Sequence, residues 1–196
     1  MSEANCYTVA ALPLSCAADK NPSGVEGRVY IGFRPDLASV TIGSNGEITD
    51  IALTSPLKLY KYVSKARMHK PSQAVIPGDK RNMFDHEIVL SLVAKTATER
   101  KSIELLAIAE RMFCIYETVG GQLICAGIDV HPYKSAEIDD ERGLKCTALK
   151  QTDGGANIND NNAFEVTLKG SFFGMQKTVE VDTTLALSIV ELDAKC

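Results

Sequence analysis

The sequence predicts a mainly β protein (α+β), built as an antiparallel β sandwich or barrel with one flanking α-helix. Two observations predict it. Runs of β-branched and aromatic residues alternate with polar ones along most of the chain, and one stretch, residues 96–112, has helical apolar spacing. With 196 residues, 45% of them hydrophobic, the chain can bury one sizeable core. We therefore expect an extended N-terminal arm at 1–23 and a single β-rich domain at 24–196.

The strands before the helix are predicted from alternation and from turn residues. Residues 29–33 (VYIGF) are rich in β-branched and aromatic types. Residues 40–42 and 47–53 flank an Asn-Gly pair at 45–46, and such pairs favour the positive φ angles of tight hairpin turns. In 57–63 the leucines alternate with Tyr60 and Tyr62, which predicts another strand.

The predicted helix begins with a capping box and carries a wide apolar stripe. Thr96 and Glu99 have the spacing at which each side chain bonds the other residue's backbone N–H. Apolar residues occupy two neighbouring faces, so we expect the helix to be covered by its own sheet on one side and by a neighbouring subunit on the other. Leu105 and Ile108 are the predicted contacts with that neighbour.

Further strands are predicted on both sides of the helix. Residues 83–93 alternate apolar and polar types before it, and 113–116 and 122–126 form a hairpin around Gly120-Gly121 after it. The alternation in 164–170 predicts a regular strand. Weaker patterns predict strands at 144–150 and 184–192.

Two charged segments are candidates for contacts between subunits. Residues 64–81 hold five cations and one acid, which predicts a long basic loop, either solvated or docked on an acidic neighbour. Residues 129–144 are irregular and acidic. We expect the basic residues 65–81 and the acidic residues 137–141 to pair between subunits and to set their register; the candidate residues are Lys65, Arg67, Lys70, Asp139, Asp140 and Glu141.

Catalytic, cofactor and metal motifs are absent from the sequence, so we expect no enzyme, no cofactor and no metal site. The chain has no nucleophile elbow, phosphate-binding loop or dinucleotide fingerprint. Its six cysteines form no Cys-x-x-Cys pair, and its three histidines do not complete a zinc site. We expect free cysteines that pack as small apolar residues. A loop at 152–163, rich in Asp and Asn, could bind calcium, although its order does not fit an EF-hand.

Charge and hydropathy limit the partners. A net charge of −4 does not favour a surface that wraps nucleic acid, and no apolar run is long enough to span a bilayer. The first residues include Glu3 but no Lys or Arg before the apolar run, so no export signal is predicted. We expect no membrane contact.

Several short stretches follow one another in a characteristic order: 27–31 (GRVYI), 40–42 (VTI), 46–51 (GEITDI), 59–62 (LYKY), 86–90 (HEIVL), 99–100, 120–121, 126–127 and 164–170 (FEVTLKG). In this order and spacing the chain resembles the tail tube proteins of phages and prophages of Bacteroidetes. The stretches cover most of residues 24–190. Each is short, and the resemblance depends on their succession.

The resemblance implies a virion structural protein. Its copies would form a closed homo-oligomeric ring that stacks with other tail rings and tail proteins into a channel for DNA ejection. Genomic DNA would pass without specific binding. The protein would be made in the host bacterial cytoplasm and reside in the tail, either as a tail tube or as a ring or collar of a short-tailed phage such as a crAss-like phage.

Two other functions are compatible with the residues alone. One is a non-viral β module that binds calcium or a sugar through the 152–163 loop. The other is a small enzyme whose site is assembled from residues scattered in the sequence. A closed ring seen by electron microscopy would favour the phage assembly over both.

Overall fold

A computed structural model describes residues 25–54, 59–63, 69–78, 82–94, 96–129, 142–152, 163–179 and 189–190. The predicted arm at 1–23 lies outside these residues. The described part is mainly β with one α-helix and a short 3₁₀ turn, Arg34–Asp36. The elements are β1 Val25–Phe33, β2 Leu37–Ile42, β3 Ile48–Leu53, β4 Leu59–Val63, β5 Lys70–Ile76, β6 Met83–Leu92, α1 Ala97–Ile108, β7 Met112–Thr118, β8 Leu123–Ala126, β9 Lys145–Thr152, β10 Ala163–Phe172, β11 Lys177–Val179 and β12 Ile189–Val190.

The strands form two sheets, which makes the fold a sandwich with a flanking helix and not a closed barrel. The large sheet has the order β12-β4-β1-β7-β8-β11-β3-β2, and the small sheet has the order β5-β6-β10-β9. Every pairing in the small sheet is antiparallel. The sandwich half of the prediction is confirmed, and the barrel half is wrong.

The main core lies between the two sheets and under the helix. Alternation directs Val29 and Ile31 of the large sheet, and Ile88 and Leu168 of the small sheet, into this layer. Ile103 and Leu106 of α1 complete it. The helix therefore packs one edge of its apolar stripe onto the sandwich.

A second core covers the opposite face of the large sheet. The alternate residues of its central strand, Phe113 and Ile115, are fully buried there. Leu59 of β4 and Val40 of β2 belong to the same cluster, although these strands lie near opposite ends of the sheet. The large sheet is therefore strongly curled and buries both faces of its central strand.

Both predicted hairpins are confirmed. Strands β2 and β3 flank a turn in which Gly46 has a φ of 84°, and β7 and β8 flank a turn in which Gly121 has a φ of 80°. Side chains other than glycine rarely adopt these angles. The turn residues, with the alternating strands on both sides, were thus sufficient to predict the two connections.

The helix starts where predicted but ends earlier. Thr96 Oγ1 accepts from the Glu99 N–H at 3.2 Å, and Glu99 Oε2 accepts from the Thr96 N–H at 2.9 Å, so the capping box is confirmed. The predicted end at Met112 is wrong, because Met112 is fully buried in β7 and exchanges two backbone hydrogen bonds with Leu144. Pairing between distant segments outweighs the helical spacing of these last residues.

The predicted basic loop at 64–81 is wrong over 70–76, where β5 lies. Its first four residues (KPSQ) show no apolar alternation that would predict a strand. Its backbone nevertheless pairs with β6 along its whole length, from Lys70 opposite Val89 to Ile76 opposite Met83. The ladder, and not side-chain burial, makes this segment a strand.

The later strands match their predictions in part. Strand β10 contains the predicted 164–170, and β9 covers most of 144–150. Of the predicted strand at 184–192, the described part contains β12, which pairs in parallel with β4. Strand β11 was not predicted. Within the described residues, the one helix is too short to cross a membrane.

Candidate functional site

Three of the eight predicted contact residues lie in the described part of the chain. Lys70 is exposed on β5, and Leu105 and Ile108 are 54% and 72% exposed on the outer face of α1. The other predicted contacts lie outside the described residues: Lys65, Arg67, Asp139, Asp140 and Glu141. The pairing of the basic and acidic segments therefore stays a prediction.

The outer face of α1 is apolar at two positions one turn apart. Leu105 and Ile108 are three residues apart and so share a face, while Ile103 and Leu106 pack into the core. Burying the exposed parts of Leu105 and Ile108 would stabilise an assembly by roughly 1–2 kcal/mol for each side chain. The helix therefore offers an apolar contact that the described part of the chain leaves exposed.

Strand β5 is the second exposed element. It forms one edge of the small sheet, and six of its seven residues are exposed. Val75 is 55% and Ile76 38% exposed, although both have the β-branched shape that strands usually bury. An exposed edge with apolar side chains is a template for pairing with another strand.

The exposed edge is held to the sandwich by Gln176, which precedes β11. Its backbone N–H donates to Gln73 Oε1 at 2.9 Å, and its side-chain amide donates to the Ser72 carbonyl at 3.0 Å. Its Oε1 accepts from the hydroxyl of Tyr116 in the large sheet. One glutamine thus links β5 to the opposite sheet.

A buried histidine fixes the same connection. His86 is fully buried on β6, and its ring stacks on Phe172 with 4.4 Å between centroids. Nε2 donates to the Gly174 carbonyl at 3.0 Å, and Nδ1 accepts from the Gly127 N–H at 3.5 Å. Burial lowers the pKa of His86 to about 4, so the ring is neutral at pH 7.

Asp129 supports this connection from the large-sheet side. Its carboxylate is almost completely buried, and its Oδ2 accepts from the Phe173 N–H at 2.7 Å. The segment 173–176 is therefore hydrogen-bonded to both sides of the sandwich: its Phe173 N–H donates to Asp129, and its Gly174 carbonyl accepts from His86. Since this segment carries the contacts to β5, the interior polar groups position the exposed edge.

Charged side chains on the outer face of the small sheet pair with one another. Lys169 Nζ lies 3.0 Å from Asp85 and 3.7 Å from Glu87. Burial alone would raise the pKa of Asp85, but hydrogen bonds from Ser171 and Lys169 outweigh it and lower the pKa. The ion pairs are partly exposed, so they contribute little to stability.

The three described cysteines are free, as predicted. Cys114 and Cys125 are buried on adjacent strands but belong to different cores, so their side chains point to opposite faces of the sheet. Burial raises the pKa of Cys125 to about 12, and that of Cys114 is also raised. Both thiols are therefore protonated at neutral pH and act as packing groups.

Sequence reasoning missed the role of His86, although a signal was present. Residues Ile88, Leu90 and Leu92 form the apolar face of β6, and alternation extended back by two positions places His86 on that face. The roles of Asp129 and Gln176 left no comparable signal, because their partners are distant in sequence.

Within the described ranges, no three His, Cys, Asp or Glu residues cluster as metal ligands. The central part of the 152–163 loop lies outside those ranges.

Comparison with known proteins found no matching family model, no matching curated protein and no matching solved structure.

Proposed function

We propose that this chain is a virion structural protein whose copies assemble into a closed ring or tube of a phage tail, which forms the channel for DNA ejection. One observation carries the proposal: the small sheet has two edge strands that are exposed and run in opposite directions. The family resemblance of the sequence supports the same assembly. The net charge of −4 is compatible with a channel that does not retain DNA phosphates.

The strand directions favour ring closure. Because β5, β6, β10 and β9 are successively antiparallel, the two edges β5 and β9 run in opposite directions. A copy placed beside the first in the same orientation would therefore set its β5 antiparallel to the neighbouring β9. Such head-to-tail contacts use two different surfaces and close into a ring when the rotation permits.

The exposed apolar side chains favour the same contacts. Val75 and Ile76 are exposed on β5, and Leu149 is 46% exposed on β9. Leu105 and Ile108 extend the apolar surface onto the helix. Pairing of the edges would add backbone hydrogen bonds between copies and cover these side chains together.

The test is the oligomeric mass of the purified chain. We expect a closed ring by light scattering and negative-stain electron microscopy. A variant with Val75→Lys and Leu149→Lys should be monomeric, because a charge on each edge opposes strand pairing. Val93→Lys is the matched control: Val93 is 51% exposed but lies outside the strands and the helix, so this variant should still form rings.

Two results would contradict the proposal. One is a wild-type chain that remains monomeric at high concentration. The other is a ring that survives both edge substitutions, since the assembly would then use other surfaces. Circular dichroism of the double variant checks that the loss of assembly is not a loss of folding.

A further inference from the structure

A groove lined by basic side chains lies at one end of the small sheet. Its walls come from three separate segments, 110–111, 142–147 and 169–171. Among the described residues, four cations line it (Arg111, Arg142, Lys145 and Lys169), together with one acid, Glu110. This local excess of positive charge contrasts with the net charge of −4 of the chain.

The cations are placed next to one another by strand pairing. Lys145 is directly opposite Lys169 in the β9–β10 ladder. On its other side, Met112 and Leu144 form an antiparallel bridge, which brings Arg111 next to Lys145. Like charges at facing positions are destabilising, so this row costs stability unless an anion lies beside it. Within the described part of this row, Asp85 and Glu87 offset the charge of Lys169.

The backbone at Arg111 is also held in an unfavourable conformation. Its φ is 55°, and it is the one residue other than glycine with positive φ in the described part of the chain. Its carbonyl accepts from the Arg34 N–H at 2.8 Å, and a side chain at Gly143 would collide with its backbone. Strain of this kind is concentrated at binding sites, where it fixes a side chain in position.

Arg142 is oriented before any ligand arrives. Its guanidinium lies 3.9 Å from the centre of the Phe173 ring and donates to the Ser171 carbonyl at 3.2 Å. Planar guanidinium groups bind phosphate through paired hydrogen bonds. A tetrahedral phosphate can accept from several directions at once, whereas a single carboxylate presents two oxygens in one plane.

We infer that this groove binds a doubly charged phosphate group, either inorganic phosphate or a phosphate monoester. Arg111, Arg142 and Lys145 supply the charge-assisted hydrogen bonds, and Thr147 lines the same wall. The inference is independent of the proposed ring, because every residue that lines the groove belongs to one chain.

The test is calorimetric titration of the full chain with inorganic phosphate at low ionic strength. Arg111→Gly removes a cation and relieves the left-handed strain, so this variant should melt no lower than the wild type. It should bind phosphate about tenfold more weakly, the effect of losing one charge-assisted hydrogen bond. Lys150→Ala is the control, since Lys150 is exposed on β9, the strand of Lys145, but does not line the groove.

Each outcome decides the inference. Saturable binding that Arg111→Gly weakens and Lys150→Ala preserves would support it. Absence of saturable binding, or equal binding by Arg111→Gly and the wild type, would overturn it. Adenosine monophosphate, which carries a phosphate monoester, should bind with an affinity similar to that of inorganic phosphate. An oligonucleotide without terminal phosphates has only singly charged phosphate diesters. If it binds more tightly per phosphate, the preference for a doubly charged phosphate is refuted.

Discussion

Mild acid should destabilise the fold through His86. Both ring nitrogens are already used: Nε2 donates to the Gly174 carbonyl and Nδ1 accepts from the Gly127 N–H. A second proton turns Nδ1 from an acceptor into a donor that faces another donor. Protonation therefore breaks one hydrogen bond and places a cation between the two sheets.

The magnitude follows from the pKa of the ring. Burial, with a smaller contribution from Lys177, lowers the pKa from 6.5 to about 4, against the opposite effects of the Gly174 carbonyl and Asp85. The unfolded chain therefore takes up the proton first as the pH falls. Stability is complete above about pH 6.5, and it falls by about 2 kcal/mol at pH 5 and by about 3 kcal/mol near pH 4.

The assay is urea unfolding at pH 7 and at about pH 5, followed by circular dichroism. The wild type should lose about 2 kcal/mol between these conditions through His86. The variant His86→Gln retains an amide that can donate to Gly174 but does not titrate, so it should lose this part of the pH dependence. Val93→Ala is the control, because Val93 is exposed just after β6 and the change neither adds nor removes a titrating group.

Two measurements would refute this reasoning. If His86→Gln destabilises the chain equally at both pH values and leaves the slope unchanged, the histidine is not the titrating group. An NMR titration of the folded wild type gives an independent reading, even when the variant does not fold. A His86 ring that titrates near 6.5 in the folded protein would show that its burial carries no electrostatic cost.

Two further predictions concern the helix start and the buried thiols. Thr96→Ala should reduce the free energy of unfolding by about 1 kcal/mol, because the Glu99 N–H loses its acceptor. Thr96→Ser keeps a hydroxyl and should retain most of this stability. Equal losses of stability in the two variants would contradict the role of Thr96 as a helix cap. With the other four cysteines replaced by serine, Cys114 and Cys125 should resist a thiol reagent near pH 8 until the chain is unfolded, because burial raises both pKa values. Rapid labelling of the native variant would show that the strands open locally.

Part of the candidate contact surface was predictable from the sequence. Leu105 and Ile108 stood out because the apolar stripe was wider than one sheet can cover, and both are exposed. Lys70 was expected in a loop, yet it lies on the edge strand β5. The strand was missed because β5 is held by backbone pairing with β6, which the side chains of β5 do not reveal. The groove at Arg111 was not predicted, since its cations come from segments that are adjacent only after folding.

Local interactions determined what the sequence alone could predict. The turns at Gly46 and Gly121 and the capping box at Thr96 depend on residues at most a few positions apart, and the alternation of most strands depends on one sheet face being apolar. The tertiary structure decided the rest. The helix ends at Ile108 because Met112 pairs with Leu144, and His86 is neutral because two sheets enclose it. These outcomes depend on contacts between distant segments, which no local pattern specifies.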